Sequence, residues 1–251
     1  MVADCEVDVS ADRVPTESPD RAAHWTLRDN DLVMNTVPVP RSLLLWLFAC
    51  GTLAPALFDA VYLVEGATRP GYDAWRQAIS TLMEGLGGWV QQADFVVLGL
   101  FTLGVAVVWR RILEGGVCAT WYPVIRGIEG LSLVVIGFSL TDPLHTFWLF
   151  MIIAAMMAGL FVIGRRFWRD PNWRSWVVYS IVSAVLINVF IALFGVLQHT
   201  PFAAGVLERV ATNIEPFWSL MVFVRLWNRV PFMVDRLSPA PAARSRSGTQ
   251  A

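Results

Sequence analysis

Six stretches of the chain run nearly free of charge for close to the ~20 residues that a helix needs to cross hydrocarbon. They cover 42–64, 90–109, 124–140, 146–164, 175–197 and 204–227. The third is short, and the sixth carries charge in its first half. Trp46, Trp89, Trp109, Trp121, Trp148, Trp176 and Trp227 fall near the ends of these runs, where an amphipathic ring prefers the headgroup layer. The pattern predicts an all-α, polytopic membrane protein, a six-transmembrane-helix bundle over residues 41–229.

Between the first two runs the periodicity changes. Trp75, Ala78, Ile79, Leu82, Met83 and Leu86 recur at helical spacing and make one apolar stripe, while Arg76, Gln77, Ser80, Thr81 and Glu84 occupy the other face. Pro70-Gly71 supplies a turn ahead of the stripe, Asp73 can cap its start, and Gly85, Gly87 and Gly88 end it. The expectation is a short amphipathic helix in the first outer loop, lying in the interface or folded back over the bundle.

Residues 1–40 are polar, acidic and proline-containing, without the early apolar core of a signal peptide, and 230–251 read the same way. Both are expected to be disordered tails. Apolar residues make up 56% of the chain and charged residues 16%, well short of the roughly 25% charged of a soluble domain. The net charge of −1 says nothing about partners, but the placement of charge does. All nineteen basic residues are Arg. With the N-terminus inside, every Arg except Arg69, Arg76 and Arg209 falls on the cytoplasmic side. The positive-inside rule therefore places both tails in the cytoplasm of a cell whose plasma membrane holds the protein.

Ionisable groups inside hydrocarbon are costly, about 2.5–3.5 kcal/mol each at the centre of an inserted helix, and usually face the bundle. Here most gather toward the outer side. The candidate binding cluster comprises Asp59, Arg69, Tyr72, Glu84, Asp94, Asp142, His145, Glu208, Arg209 and Glu215. In the sixth run Glu208, Thr212, Glu215 and Ser219 share one helical face, and Pro216 frees the Thr212 carbonyl and favours a kink. Such a helix could line a polar pocket; equally, Arg209 could neutralise a neighbouring carboxylate and merely lock the bundle. Arg126 and Glu129 read as an intrahelical ion pair near the inner face, and Asn188 as interhelical hydrogen-bonding glue.

Asp142, His145 and His199 are a zinc-like ligand set in kind, but their spacing matches no metal motif. Cys5, Cys50 and Cys118 are kept apart by topology and suggest no disulfide framework. No metal or cofactor is expected. No catalytic Ser–His–Asp set, phosphate-cradling glycine loop or basic patch is visible, so nucleic acid is not an expected partner.

The stretch EGATRPGYDAWRQAISTLMEGLGG, residues 65–88, resembles the signature loop of a bacterial membrane family known as domain of unknown function 998. In that loop a (H/R)PGY turn precedes a short amphipathic segment and a glycine-rich approach to the second helix. Thr141-Asp142-Pro143 and GVLERVATNIEPFW, residues 205–218, agree as well. The resemblance covers about residues 42–228 and implies six helices in a bacterial inner membrane, with no established activity. The chain departs from the pattern where Thr81-Leu82-Met83 separates Ser80 from Glu84, and it has no His in the fourth helix beyond His145. His-dependent chemistry imagined for relatives is therefore not carried over.

Two functions fit these residues. The first is non-catalytic binding of membrane lipids, a lipophilic molecule or a membrane protein partner at an outer-leaflet polar cleft. The second is an intramembrane enzyme acting on a lipid headgroup, with Glu208, Glu215 or Asp142 as acid or base and Arg69, Arg76 or Arg209 holding an anionic group. Transport is disfavoured, because polar residues thin out inward of Glu215 to Asn188, Ser219 and the Arg126–Glu129 pair.

Overall fold

The computed structural model describes residues 39–113, 115–140, 143–200 and 203–228. The expected tails, except Val39 and Pro40, and Asp142 lie outside the described residues. Each apolar run is helical: α1 spans Arg41–Thr68, α2 Trp89–Ile112, α3 Gly116–Ile136, α4 Leu144–Trp168, α5 Arg174–Leu197 and α6 Ala204–Trp227. No strand occurs among the described residues.

Prolines shape two of these helices. Pro55 cannot donate a backbone hydrogen bond, and the turn ahead of it, Ala49–Leu53, is wound wide as a π-helix before α-geometry resumes over Ala54–Thr68. Pro123 lies inside α3 and does not stop it. The helix expected from 124 begins at Gly116, after a reversal in which Gly115 has φ 62°. Neighbouring helices can satisfy the carbonyl that an interior proline leaves free. Arg126 consequently sits about halfway along the 21 residues of α3, deep in the bundle instead of near its inner face.

Consecutive helices from α2 to α6 pack side by side, and α1 closes the ring by touching both α2 and α6. The α2–α3 crossing is tight because it is glycine against glycine. A Cβ on Gly99 would stand 2.7 Å from the Gly130 carbonyl oxygen, and one on Gly130 2.8 Å from that of Gly99. Small residues are what allow membrane helices such close approach. One end of the ring carries the 69–88 loop (the loop end). The other carries Arg110, Arg111, Arg165, Arg166, Arg174 and Arg225 (the arginine end) and is filled with aromatic rings. There Trp109 meets Tyr122 edge-on at 5.3 Å, and Phe167 stacks on Trp173 at 4.8 Å. Trp218, fully buried, donates from its indole to the Ser180 hydroxyl at 3.0 Å.

The loop is shorter in helix than its pattern predicts. Only Ile79–Met83 is helical, as a single 3₁₀ stretch. Ile79, Leu82 and Met83 are buried against the bundle, whereas Trp75 and Leu86, from the same stripe, are exposed. The physical reason is that the loop's own side chains take its backbone groups. Arg69 donates to the carbonyls of Leu82 (2.5 Å), Glu84 (3.0 Å) and Leu86 (3.2 Å), and the Asp73 N–H goes to the Gln77 side chain at 2.6 Å. Asp73 does not cap the helix, which starts after Ala78 with no side-chain cap; it accepts from the Trp75 N–H at 3.0 Å in the turn before it. The loop thus folds back over the bundle.

The outer surface is apolar, with Leu57, Leu100, Phe150, Phe161, Val185 and Phe217 among its exposed side chains. Four segments, Arg41–Thr68, Trp89–Ile112, Leu144–Trp168 and Pro171–Leu197, are long and apolar enough to cross a membrane. The other two helices, α3 and α6, hold the buried charges Arg126, Glu129, Glu208 and Glu215. Asn188, expected between helices, is exposed on α5.

Candidate functional site

The charges of α3 and α6 meet. Arg126 pairs with Glu129 one turn along α3 at 2.7 Å and with Glu215 of α6 at 3.0 Å. Ser219, one turn beyond, donates to Glu215 at 3.1 Å. All three charged side chains are buried. In low dielectric this triad persists only because each carboxylate shares the guanidinium, since an unpaired buried charge costs several kcal/mol, roughly 3–5 when one partner is removed.

The triad forms the deep end of a cavity inside the ring. Its walls are mainly apolar (Phe58, Phe95, Leu98, Leu133, Ile152 and Met156), and about 100 Å³ is open to the centre of a water-sized molecule. That is room for several waters, at roughly 10–15 Å³ each by the same measure. Asp59, Thr102, Arg126, Glu129, Thr212 and Glu215 add polar wall, and Ile79, Ser80, His145 and Glu208 close the top. Tyr122 and Trp218 lie one turn past the triad toward the arginine end, where the aromatic packing is dense.

Loop and bundle are fastened together at α6. The carboxylate of Glu208 accepts the Ile79 N–H at 2.8 Å. Arg209 donates to the Tyr72 hydroxyl (2.5 Å), to the Gln77 carbonyl (3.2 Å) and to its own Gly205 carbonyl (2.7 Å). It also lies over the Tyr62 ring at 5.3 Å. Tyr72 donates onward to the Ala78 carbonyl at 3.1 Å. Burial pushes the Tyr72 phenol above its ordinary pKa, against the pull of the Arg209 charge, so the hydroxyl remains available as a donor. Gly205 must be glycine, because a Cβ there would collide with the Gln77 carbonyl.

A second opening flanks the cavity. The 3₁₀ stretch, the start of α4 and the end of α5 enclose a groove of about 370 Å³. Leu149, Phe150, Ile153, Ile191 and Phe194 form its apolar walls, and Thr81, Glu84, His145, Gln198 and Glu208 its polar rim. Ser80, His145, Leu149 and Glu208 line both spaces, so these four form the neck between groove and cavity.

The expected cluster is therefore divided. Asp59, His145, Glu208 and Glu215 line the cavity, and Glu84 lies on the groove rim. Asp59 accepts from Asn213 at 3.3 Å. Arg69, Tyr72 and Arg209 hold the loop instead of lining either space; Arg69 also pairs with Glu65 at 3.0 Å. Asp94 is buried beside Gln91 (3.4 Å), away from the cavity wall. Among the described residues no three His, Cys, Asp or Glu side chains come together as a metal ion would require. Sequence reasoning missed that Glu215 belongs with Arg126, and that Ser80 and Thr102 complete the lining. The one hint was the seven-residue interval from Glu208 to Glu215, which sets both on one face at different depths.

Fold and site together define a membrane protein, all-helical among the described residues, whose mainly apolar cavity holds a buried charge triad and is roofed by a folded loop. The chain belongs to the family described as protein of unknown function (DUF998), whose model matches residues 52–225. The resemblance seen in the loop and sixth helix is thereby established. No curated protein and no solved structure matches the chain.

Proposed function

We propose that this chain is a six-span plasma-membrane protein, both tails cytoplasmic, that binds an amphiphilic molecule from the outer leaflet without transforming it. The observation that carries the reading is the neck, where a groove with apolar walls and a polar rim between α4 and α5 runs into a mainly apolar cavity with the Arg126–Glu129–Glu215 charges at its deep end. An acyl or other apolar chain fits the groove, and its polar head reaches Ser80, His145 and Glu208. Among the described residues no hydrogen bond joins the Ser80 hydroxyl to His145 or Glu208, which bond to the Ser139 carbonyl and the Ile79 N–H instead; this favours binding over an enzyme acting on the headgroup.

Gly195 provides the test. It lines the groove, and a Cβ added there meets nothing within 4 Å, so Gly195→Trp fills the space at little cost to the fold. A photoactivatable lipid should crosslink to peptides of α4 and α5 in the wild-type protein and lose most of that yield in the variant. Equal labelling of the two proteins, or labelling elsewhere, rules out the groove.

A further inference from the structure

The neck and cavity are rich in acceptors that have no donor. Glu208 is 7% exposed, and its Oε2 takes the Ile79 N–H. Its Oε1 accepts no hydrogen bond among the described residues. The same is true of Oε1 of Glu129 and Oε2 of Glu215, since Arg126 and Ser219 engage the other oxygen of each carboxylate. At His145 the contact is to the Ser139 carbonyl at 2.9 Å. A carbonyl only accepts, so Nδ1 donates, and Nε2 of the neutral ring is left as an acceptor. All four side chains line the cavity. Buried carboxylate oxygens need donors, and among the described residues no arginine comes within ion-pair distance of Glu208, although the Nε atoms of Arg126 and Arg209 are themselves without a partner. Arg69 clamps loop carbonyls, and the three bonds of Arg209 end on Tyr72, Gln77 and Gly205.

We propose that the neck receives a primary ammonium group borne on an amphiphile, its N–H donors directed at Glu208 Oε1 and His145 Nε2. This rests on the groove reading above and adds the headgroup chemistry. An anionic head, which the sequence alone matched to Arg69, Arg76 and Arg209, meets Glu84 and Glu208 at the groove instead. A quaternary ammonium brings the charge but no N–H, and so cannot satisfy the waiting oxygens. The apolar walls of the groove favour a lipid-borne amine over a free one.

The test uses the full chain in detergent and three lipids with identical brominated chains that quench tryptophan: phosphatidylethanolamine, phosphatidylcholine and phosphatidylglycerol. The ethanolamine lipid should bind at least about tenfold more tightly than the other two, the value of one hydrogen bond to a charged group. Glu208→Gln keeps an acceptor for the Ile79 N–H and should bring the three lipids level. Should that variant not fold, His145→Phe, which removes Nε2, must narrow the same preference. Decylamine should displace the ethanolamine lipid while free ethanolamine does not; displacement by free ethanolamine overturns the amphiphile-borne source. Equal binding of the three lipids, or a preference that survives Glu208→Gln, overturns the headgroup proposal and leaves the groove standing. Binding of none of them removes the groove reading itself, and the proposal with it.

Discussion

At the scale of single residues, the most consequential fact is where the guanidinium groups point. The sequence set Arg69 and Arg209 in the candidate cluster and Arg126 in an ion pair near the inner face, and in the structure the three do different work. Arg126 holds two buried carboxylates, Arg69 gathers the carbonyls of Leu82, Glu84 and Leu86, and Arg209 ties the loop to α6. A rigid fork of donors suits all three tasks. The triad carries a definite energetic expectation. Arg126→Met leaves Glu129 and Glu215 buried without a cation and should cost about 3–5 kcal/mol. In a thermal melt in detergent it should fall far below Glu215→Gln, which keeps the Arg126–Glu129 pair. If both variants melt alike, Glu215 contributes as much as the cation itself and the shared-guanidinium account is wrong.

At the scale of elements, the helices were legible and the loop was not. An apolar run of helix length in lipid has one way to satisfy its backbone, by bonding to itself, so 42–64 or 175–197 could hardly be anything but helix. The loop had other choices. Its partners, Arg69 and Glu208, lie outside the amphipathic stripe, and no periodicity reports them. The start of α3 was misplaced for a related reason, since Pro123 is tolerated inside a helix packed among its neighbours. The α2–α3 crossing makes a clean prediction at this scale. A Cβ on Gly130 would press on the Gly99 carbonyl and on Leu103, whereas one on Gly127, a turn away, meets nothing within 4 Å. Gly130→Ala should lower the melting temperature by several degrees, corresponding to roughly 1–3 kcal/mol of overpacking. Gly127→Ala should hold or raise it, and the reverse order would refute the close crossing.

At the scale of the whole molecule, moving Arg126 to mid-helix removes it from the tally of flanking charges but leaves the asymmetry intact. Arg110, Arg111, Arg165, Arg166, Arg174 and Arg225 share one end, and Arg69, Arg76 and Arg209 the other. A reporter that is active only outside the cytoplasm should therefore stay silent when fused after Trp227 and light up when inserted beside Arg76. The opposite pattern would invert the orientation. The candidate site was only half legible at this scale. Glu208, His145, Asp59 and Glu215 could be gathered to one region by counting turns. The division into neck, cavity and loop clamp could not, because it depends on which helices are neighbours in the ring.

The cavity has a way in at the loop end, and aromatic rings close its far side. Tyr122 and Trp218 are 2% and 0% exposed, and both sit directly beyond the triad along their helices. On the proposed reading, what enters past Ser80 and Glu208 leaves by the same door. On the binding proposed above, such a chamber would hold its occupant and return it to the side it came from. Its occupancy would then follow the composition of the leaflet at the loop end, and α3 and α6, whose charges meet at its floor, run on from there to the arginine end.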